Sequence, residues 1–229
     1  MATDQSYLSF DVPDGRLKFG AGDLDFWAEH LTWCYRMLGV ADAPTIAVQD
    51  FGSSPLSFLG SRLLMPWLNS GVAERMGGRF VCLDASSERI TLTPALMTQL
   101  AIDALVIRCD AVELLEMELR KRGFADLAHR AMKTIVVLND QPYGPDPARF
   151  QNWVRLLHLE SALVLAPQCA RCGGYRLRSG PYIVRDRRIY NTRLAAPAYE
   201  LSDSAIISES CDSESRDWCI RFPGRDRGM

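Results

Sequence analysis

Polar residues that could do acid–base or nucleophilic chemistry follow several of the strand-like runs in this chain. Asp50 and Ser53 follow Thr45-Ile-Ala-Val-Gln49, and a second polar group follows Lys133-Thr-Ile-Val-Val-Leu138. A third group follows Ala162-Leu-Val-Leu165. In an open parallel sheet, ligands bind at the carboxyl ends of strands. We therefore predict Asp140, Cys169 and Asp50 as catalytic candidates, and predict a ligand-binding set of Ser53, Asn139, Gln141, Tyr143 and Gln168.

The local motif Cys169-Ala-Arg-Cys172 has the spacing of half a zinc site. Cys211 and Cys219 could supply two further ligands, although they are eight residues apart rather than three. Two ordinary thiols in a turn are the simpler explanation of the motif. Cys169 and Cys172 are therefore candidate metal ligands, and the sequence names no cofactor.

The elements that would position these residues alternate between strands and helices. Apolar strand-like runs occur at 45–49, 80–83, 103–108, 133–138 and 162–165, and helical patterns occur at 23–38, 56–69, 110–122 and 146–158. A short helix opens at Thr93-Pro94. This alternation predicts an α/β fold with a mostly parallel sheet and helices on both faces.

The pattern of apolar and polar residues changes after Gly173-Gly174. Short alternating runs at 175–178, 182–185, 188–190, 205–208 and 218–221 are separated by Gly, Pro, Ser and Asp. We predict an α/β core over residues 1–172 and a small β-rich part with a tail over 173–229. The same region is dense in arginine and tyrosine, which could bind a phosphate or carboxylate, form a partner surface, or be the solvent face of strands.

Local signals refine this prediction. Asp23 is a candidate N-cap and Gly39 a candidate stop for the first helix, in which Trp27 and Trp33 are expected to pack in or near the core. Asp110 and Glu113 suggest a capping box, and Glu116 belongs to an acidic and basic set expected to face solvent.

Composition excludes several classes of protein. The net charge of -2 leaves no basic excess for nucleic acid, and no run of apolar residues is long enough for a membrane span. Cys34, Cys82 and Cys109 lie in apolar runs, which favours reduced, buried thiols and a cytoplasmic location.

The order of these elements resembles the middle of an adenylate-forming acyl-CoA ligase, most closely the phenylacetate–CoA ligase branch, over roughly residues 15–185. Gly20-Ala-Gly-Asp-Leu-Asp-Phe-Trp-Ala28 is similar to the segment after that family's phosphate loop. In the family, a Gly-Ala-Glu-Pro-type loop cradles adenine, and a later loop supplies an aromatic residue and a magnesium-binding glutamate. Here those loops read Asn139-Asp-Gln-Pro142 and Ala166-Pro-Gln-Cys169, and the lysine-containing phosphate loop is not found.

The resemblance implies a shortened, altered relative with an acyl pocket, in which Cys169 takes the approximate place of the glutamate. Phosphoryl and adenylyl transfer depend on charge neutralisation, so we expect no adenylation. A protein that binds an acyl or aromatic carboxylate, a thioester or a protein partner in a biosynthetic or aromatic-acid pathway is the first reading. An enzyme with different chemistry in the same cleft, and a ligase subunit completed by another chain, stay open. A homodimer is a further possibility.

Overall fold

The computed structural model describes residues 8–12, 15–19, 21–50, 55–65, 67–123, 132–139 and 145–166, and five short strands beyond them. The helices are α1 (Ala21–Met37), α2 (Pro55–Phe58), α3 (Val72–Met76), α4 (Ser87–Ile90), α5 (Thr93–Gln99), α6 (Cys109–Arg122) and α7 (Pro147–Leu156). The strands up to residue 166 are β1 (Leu8–Val12), β2 (Gly15–Phe19), β3 (Thr45–Gln49), β4 (Arg79–Leu83), β5 (Ala104–Arg108), β6 (Thr134–Leu138) and β7 (Ser161–Ala166). The later strands are β8 (Arg176–Leu177), β9 (Ile183–Arg185), β10 (Arg188–Tyr190), β11 (Ile206–Ser208) and β12 (Trp218–Arg221).

The centre of the fold is a sheet of five parallel strands in the order β4-β3-β5-β6-β7. The chain goes from β3 to β4 on one side and then crosses to β5 on the other, so the strand order reverses between β3 and β5. This is the doubly wound order 2-1-3-4-5, whose ligand sites lie at the reversal point. The predicted α/β class, with a mostly parallel sheet, is confirmed.

Helices cover both faces of this sheet because the strands are apolar on both sides. Along β3, Ile46 and Val48 pack in one core cluster, which contains the buried side of α1. Ala47, between them, packs in a second cluster with residues of α5, α6 and α7. Side chains alternate across a strand, so the two clusters lie on opposite faces.

The outer edge of β7 is shared by two antiparallel strands. Ala162 and Leu163 pair with β9, and Leu165 and Ala166 pair with β8. Strand β10 pairs with β9, while β12 and β11 continue the sheet from β8. The five short strands predicted after Gly173-Gly174 are thus present and hydrogen-bonded to the main sheet. The proposed boundary near residue 172 stays a prediction.

The first long helix buries Trp27 and Trp33, as expected, together with Leu24, Leu31 and Tyr35, and Leu38 directly after the helix is buried as well. Its start was predicted wrongly: Asp23 lies within the first turn of α1 and is not the N-cap. Gly39, two residues after the last residue of the helix, adopts a positive φ of 76°, as expected for a glycine stop.

The predicted helix over 56–69 is wrong, because α2 ends at Phe58. The carbonyls of Leu59 and Gly60 accept hydrogen bonds from the N–H groups of Val72 and Ala73 (3.1 and 2.8 Å). The chain therefore leaves the helix, forms a loop and returns beside its own start.

Helix α6 begins directly at the end of β5, and the predicted capping box is absent. Arg108 is the N-cap residue and makes no side-chain cap, while Asp110 lies in the first turn and accepts from the Ala111 N–H at 3.0 Å. Helix α7 is capped as its sequence suggests, since the Asp146 side chain accepts from the Ala148 N–H.

Two sequence predictions about surface and core need correction. Glu116 is not simply solvated: its carboxylate accepts from the Trp153 indole N–H at 3.1 Å and pairs with Arg120 at 2.6 Å. Cys34 is buried and Cys109 half-buried, but Cys82 is exposed because it lies on β4, the last parallel strand at that side of the sheet. All three are free thiols. In the part of the chain that the structure describes, no helix could span a membrane.

Candidate functional site

The carboxyl ends of the parallel strands place a row of polar residues at one edge of the sheet. Asp50 follows β3, Arg108 ends β5 and Asn139 follows β6. Asp50 and Asn139 are only 6% and 2% exposed. Neighbouring strands are about 4.8 Å apart, so the backbones at these two residues are separated by roughly 10 Å, with β5 between them. This row contains the two predicted site residues that the structure describes.

Asn139 is positioned by the sheet itself. Its N–H donates to the Leu165 carbonyl at 3.0 Å, which continues the β6–β7 ladder by one residue beyond β6. Polar side chains are rarely buried this deeply without a structural or functional reason. The sequence prediction that Asn139 lies at a strand end is confirmed, while its ligand-binding role is untested.

A buried hydrogen-bond network fixes the neighbouring ends of β3 and β4. Gln49 donates from Nε2 to the Asp84 carbonyl at 3.0 Å, and its Oε1 accepts from the Thr93 hydroxyl at 2.7 Å. Both Gln49 and Thr93 are fully buried. The side chain of Gln49 thereby connects the end of β4 to the first residue of α5. Sequence reasoning missed this role, although a glutamine that ends an otherwise apolar strand is a usable signal.

On the β5 side of the reversal point, the positive end of the α6 dipole lies next to the Arg108–Asp110 ion pair. The first turn of α6, whose 14 residues contribute a partial positive charge at this end, starts immediately after Arg108. Arg108 Nε lies 3.3 Å from Asp110 Oδ1, so this arginine is held next to the helix start. An anionic or strongly polarised ligand group is the chemistry that such a position favours.

At the opposite edge of the sheet, where the parallel strands begin, the polar groups stabilise the sheet itself. Asp103 accepts from the Thr45 N–H at 2.7 Å and donates its own N–H to the Thr45 carbonyl at 2.9 Å. Lys133 pairs with the exposed Glu160 at 3.8 Å. These interactions hold strand starts in register, so we place the candidate site at the carboxyl edge.

Several predicted site residues fall on parts of the chain that the structure does not describe. They are Ser53, Asp140, Gln141, Tyr143, Gln168, Cys169 and Cys172. Cys219, an alternative metal ligand, lies in β12 opposite Arg176. Among the described residues no group of three or more His, Cys, Asp or Glu side chains could hold a metal ion. The catalytic and metal-binding assignments therefore stay predictions.

Comparison with known proteins gives a likeness of fold alone. No family model matches the chain, and no curated protein matches it. An open conformation of 2-hydroxyisobutyryl-CoA ligase in complex with 2-HIB-AMP and CoA superposes with a TM-score of 0.54 at 9% identity. The similarity covers 75% of this chain and 38% of that one. The same ligase in the postadenylation state with 2-HIB-AMP gives a TM-score of 0.48 at 9% identity, over 75% of this chain and 37% of that one.

The chain thus spans less than two fifths of the length of the ligase that it resembles. The fold of this chain is similar to part of that ligase. This likeness of fold agrees with the order of elements read from the sequence.

Proposed function

We propose that this protein binds an acyl or aromatic carboxylate, or its thioester, at the carboxyl edge of the parallel sheet and does not adenylate it. The observation that carries the proposal is the pair of buried polar residues, Asp50 and Asn139, on either side of the electropositive start of α6. A carboxylate or thioester carbonyl at the helix start would accept hydrogen bonds there, and Asn139 could donate a further one. The fold likeness to an acyl-CoA ligase supports this ligand class.

The second half of the proposal, the absence of adenylation, depends on the sequence. A nucleoside triphosphate needs several hydrogen-bond donors or a metal ion to neutralise the charge of its phosphates. The sequence has no glycine- and serine-rich loop with a lysine, and the segment after β7 reads Ala166-Pro-Gln-Cys169 without a glutamate.

A series of thermal-shift measurements tests both the binding of an acid or thioester and the absence of adenylation. The probes are phenylacetate, benzoate and octanoate, their CoA thioesters, CoA, AMP and ATP with magnesium. A ligand that binds only the folded state at about 100 times its Kd stabilises it by roughly 2.7 kcal/mol. For a chain of this size that corresponds to a rise in Tm of roughly 5–10 °C.

Matched variants locate the binding. Asn139→Ala should remove most of the shift produced by an acid or thioester. Glu160→Gln, at the opposite edge of the sheet, should leave the shift intact because Glu160 lies at the start of β7, away from the proposed site, and its ion pair with Lys133 is partly exposed. A shift with ATP or AMP would contradict the absence of adenylation, and silence with every acid and thioester would refute the binding role.

A further inference from the structure

The candidate site contains a buried carboxyl group, Asp50, to which ligand binding alone gives no role. Of the aspartates and glutamates that the structure describes, only Asp50 is buried, at 6% exposure. The sheet fixes its position, because Gln49 lies beside Ile107 in the β3–β5 ladder. Asp50 and Arg108 are the next residues on these two neighbouring strands, so their backbones are about 4.8 Å apart. A buried carboxyl group thus lies beside the start of α6, where the ligand is expected.

Two further aspartates lie close to the same strand ends. The Asp84 carbonyl accepts from Gln49 Nε2 at 3.0 Å, so the end of β4 is tied to the residue before Asp50. Asp110 Oδ1 lies 3.3 Å from Arg108 Nε. Within two positions of the ends of the five parallel strands, Arg108 is the one lysine or arginine among the residues that the structure describes. The described part of this edge therefore has more negative than positive side chains.

These three aspartates differ in how strongly their charge is screened. Asp84 and Asp110 are exposed, and the Asp110 side chain reaches 73% exposure. Water and salt weaken the interactions of such exposed charges, whereas the interactions of buried charges are screened much less. Asp50 is therefore the aspartate whose charge a ligand bound at the strand ends would experience most strongly.

We propose that Asp50 makes the site selective for a neutral acyl group, such as a thioester or an ester, over the free carboxylate. This inference rests on the proposed function and narrows its ligand class. An ester or thioester carbonyl accepts hydrogen bonds from the donors that the start of α6 and Asn139 offer, and it brings no net charge to the site. A carboxylate uses the same donors but places a full negative charge near Asp50. Arg108 offsets that charge only in part, because it is already paired with Asp110.

Paired probes isolate the effect of charge. Phenylacetate and methyl phenylacetate have the same ring, as do benzoate and methyl benzoate, and each pair differs by one negative charge at the carbonyl end. Isothermal titration calorimetry of the full chain should give a Kd for each acid at least about tenfold above that of its ester, because like charges repel at a poorly screened site.

The outcomes of this titration separate the inference from the proposed function. An acid that binds as tightly as its ester, or more tightly, would overturn the selectivity and leave acyl binding at the strand ends in place. No binding of the acids, the esters or phenylacetyl-CoA would overturn both.

A substitution assigns the selectivity to Asp50. Asp50→Asn keeps the size of the side chain and removes its charge, so the ratio of acid Kd to ester Kd should fall at least about tenfold. Glu160→Gln is the matched control, since it makes the same chemical change at the opposite edge of the sheet and should leave the ratio as it is in the wild type. A folded Asp50→Asn protein with the wild-type ratio would overturn the assignment, and circular dichroism melts show whether each variant is folded.

Arg108→Gln gives an independent test that does not require the Asp50 variant to fold. This change removes the one described cation at the strand ends, so Asp50 and Asp110 are no longer offset. The ratio of acid Kd to ester Kd should therefore rise at least about threefold. A ratio that stays constant or falls would contradict the proposal that charge at this edge selects the ligand.

Discussion

Replacement of Tyr35 by phenylalanine should stabilise this protein. Tyr35 lies in α1 with its ring fully buried, and its hydroxyl has no hydrogen-bond partner among the described residues. A buried polar group without a partner costs roughly 1–3 kcal/mol. Phenylalanine keeps the ring and removes one oxygen, whose lost dispersion contacts are worth roughly 0.1–0.2 kcal/mol each. The net expectation for Tyr35→Phe is a gain of about 1 kcal/mol in the free energy of unfolding.

For a chain of this length, about 1 kcal/mol corresponds to a rise in Tm of roughly 2–4 °C, which calorimetry or urea unfolding measures easily. Trp153→Phe is a useful opposite control, because the Trp153 indole N–H does have a partner, Glu116 at 3.1 Å. That variant should lose stability by about 1–3 kcal/mol, since it leaves Glu116 with an unsatisfied acceptor. A Tyr35→Phe protein that melts below the wild type would refute the reasoning and indicate that the hydroxyl has a bound partner such as an internal water.

Three further predictions follow from other groups. Burial raises the pKa of the Cys34 thiol to about 12 from 9.0, so the folded state keeps a proton that the unfolded state releases. Stability should therefore fall as the pH rises from about 9 to about 12, and Cys34→Ala should flatten that part of a denaturation profile. The pKa of Glu74 is lowered, since partial burial, which raises it, is outweighed by hydrogen bonds from Ser61, Arg62 and Gly71. Stability from Glu74 should be present above its usual pKa of 4.5 and lost as the pH falls through its lowered value, and Glu74→Gln should lack this loss in acid titrations of Trp fluorescence. His158 is exposed and has a φ of 52°, so His158→Gly should raise the free energy of unfolding by about 0.5–1 kcal/mol in urea titrations, whereas Gly39→Ala, at a φ of 76°, should lower it.

The apolar pattern predicted the parallel sheet well because its strands are buried on both sides. Thr45–Gln49 has the predicted bounds, and every residue in it is buried. A continuous apolar run of this length between polar turns is the sequence pattern expected of a strand that is buried on both sides. The N-terminal hairpin was missed, although Val12-Pro-Asp-Gly15 between two alternating runs is a turn signal.

The errors concern interactions between residues far apart in sequence. The 56–69 segment has helical periodicity, but Glu74 and Asp25 hold it as a loop with hydrogen bonds that no local pattern reveals. Glu116 was expected in solvent because the partner that makes it structural, Trp153, lies on another helix. For the candidate site, the strand ends were predictable from periodicity, which located Asp50 and Asn139. The link from Gln49 to Thr93 was not, because it requires the crossover from β4 to β5.

Two separate groups of strands pair with the outer edge of β7, so sequence changes in one group affect different contacts from changes in the other. Strands β9 and β10 attach at the start of β7, through Ala162 and Leu163, while β8, β12 and β11 attach at its end, through Leu165 and Ala166. An insertion or deletion in one branch therefore leaves the hydrogen bonds of the other in place. Only the second branch borders the carboxyl edge of the sheet. Sequence variation in β8, β12 and β11 can thus alter the surroundings of the candidate site, whereas variation in the β9–β10 hairpin would leave those surroundings unchanged.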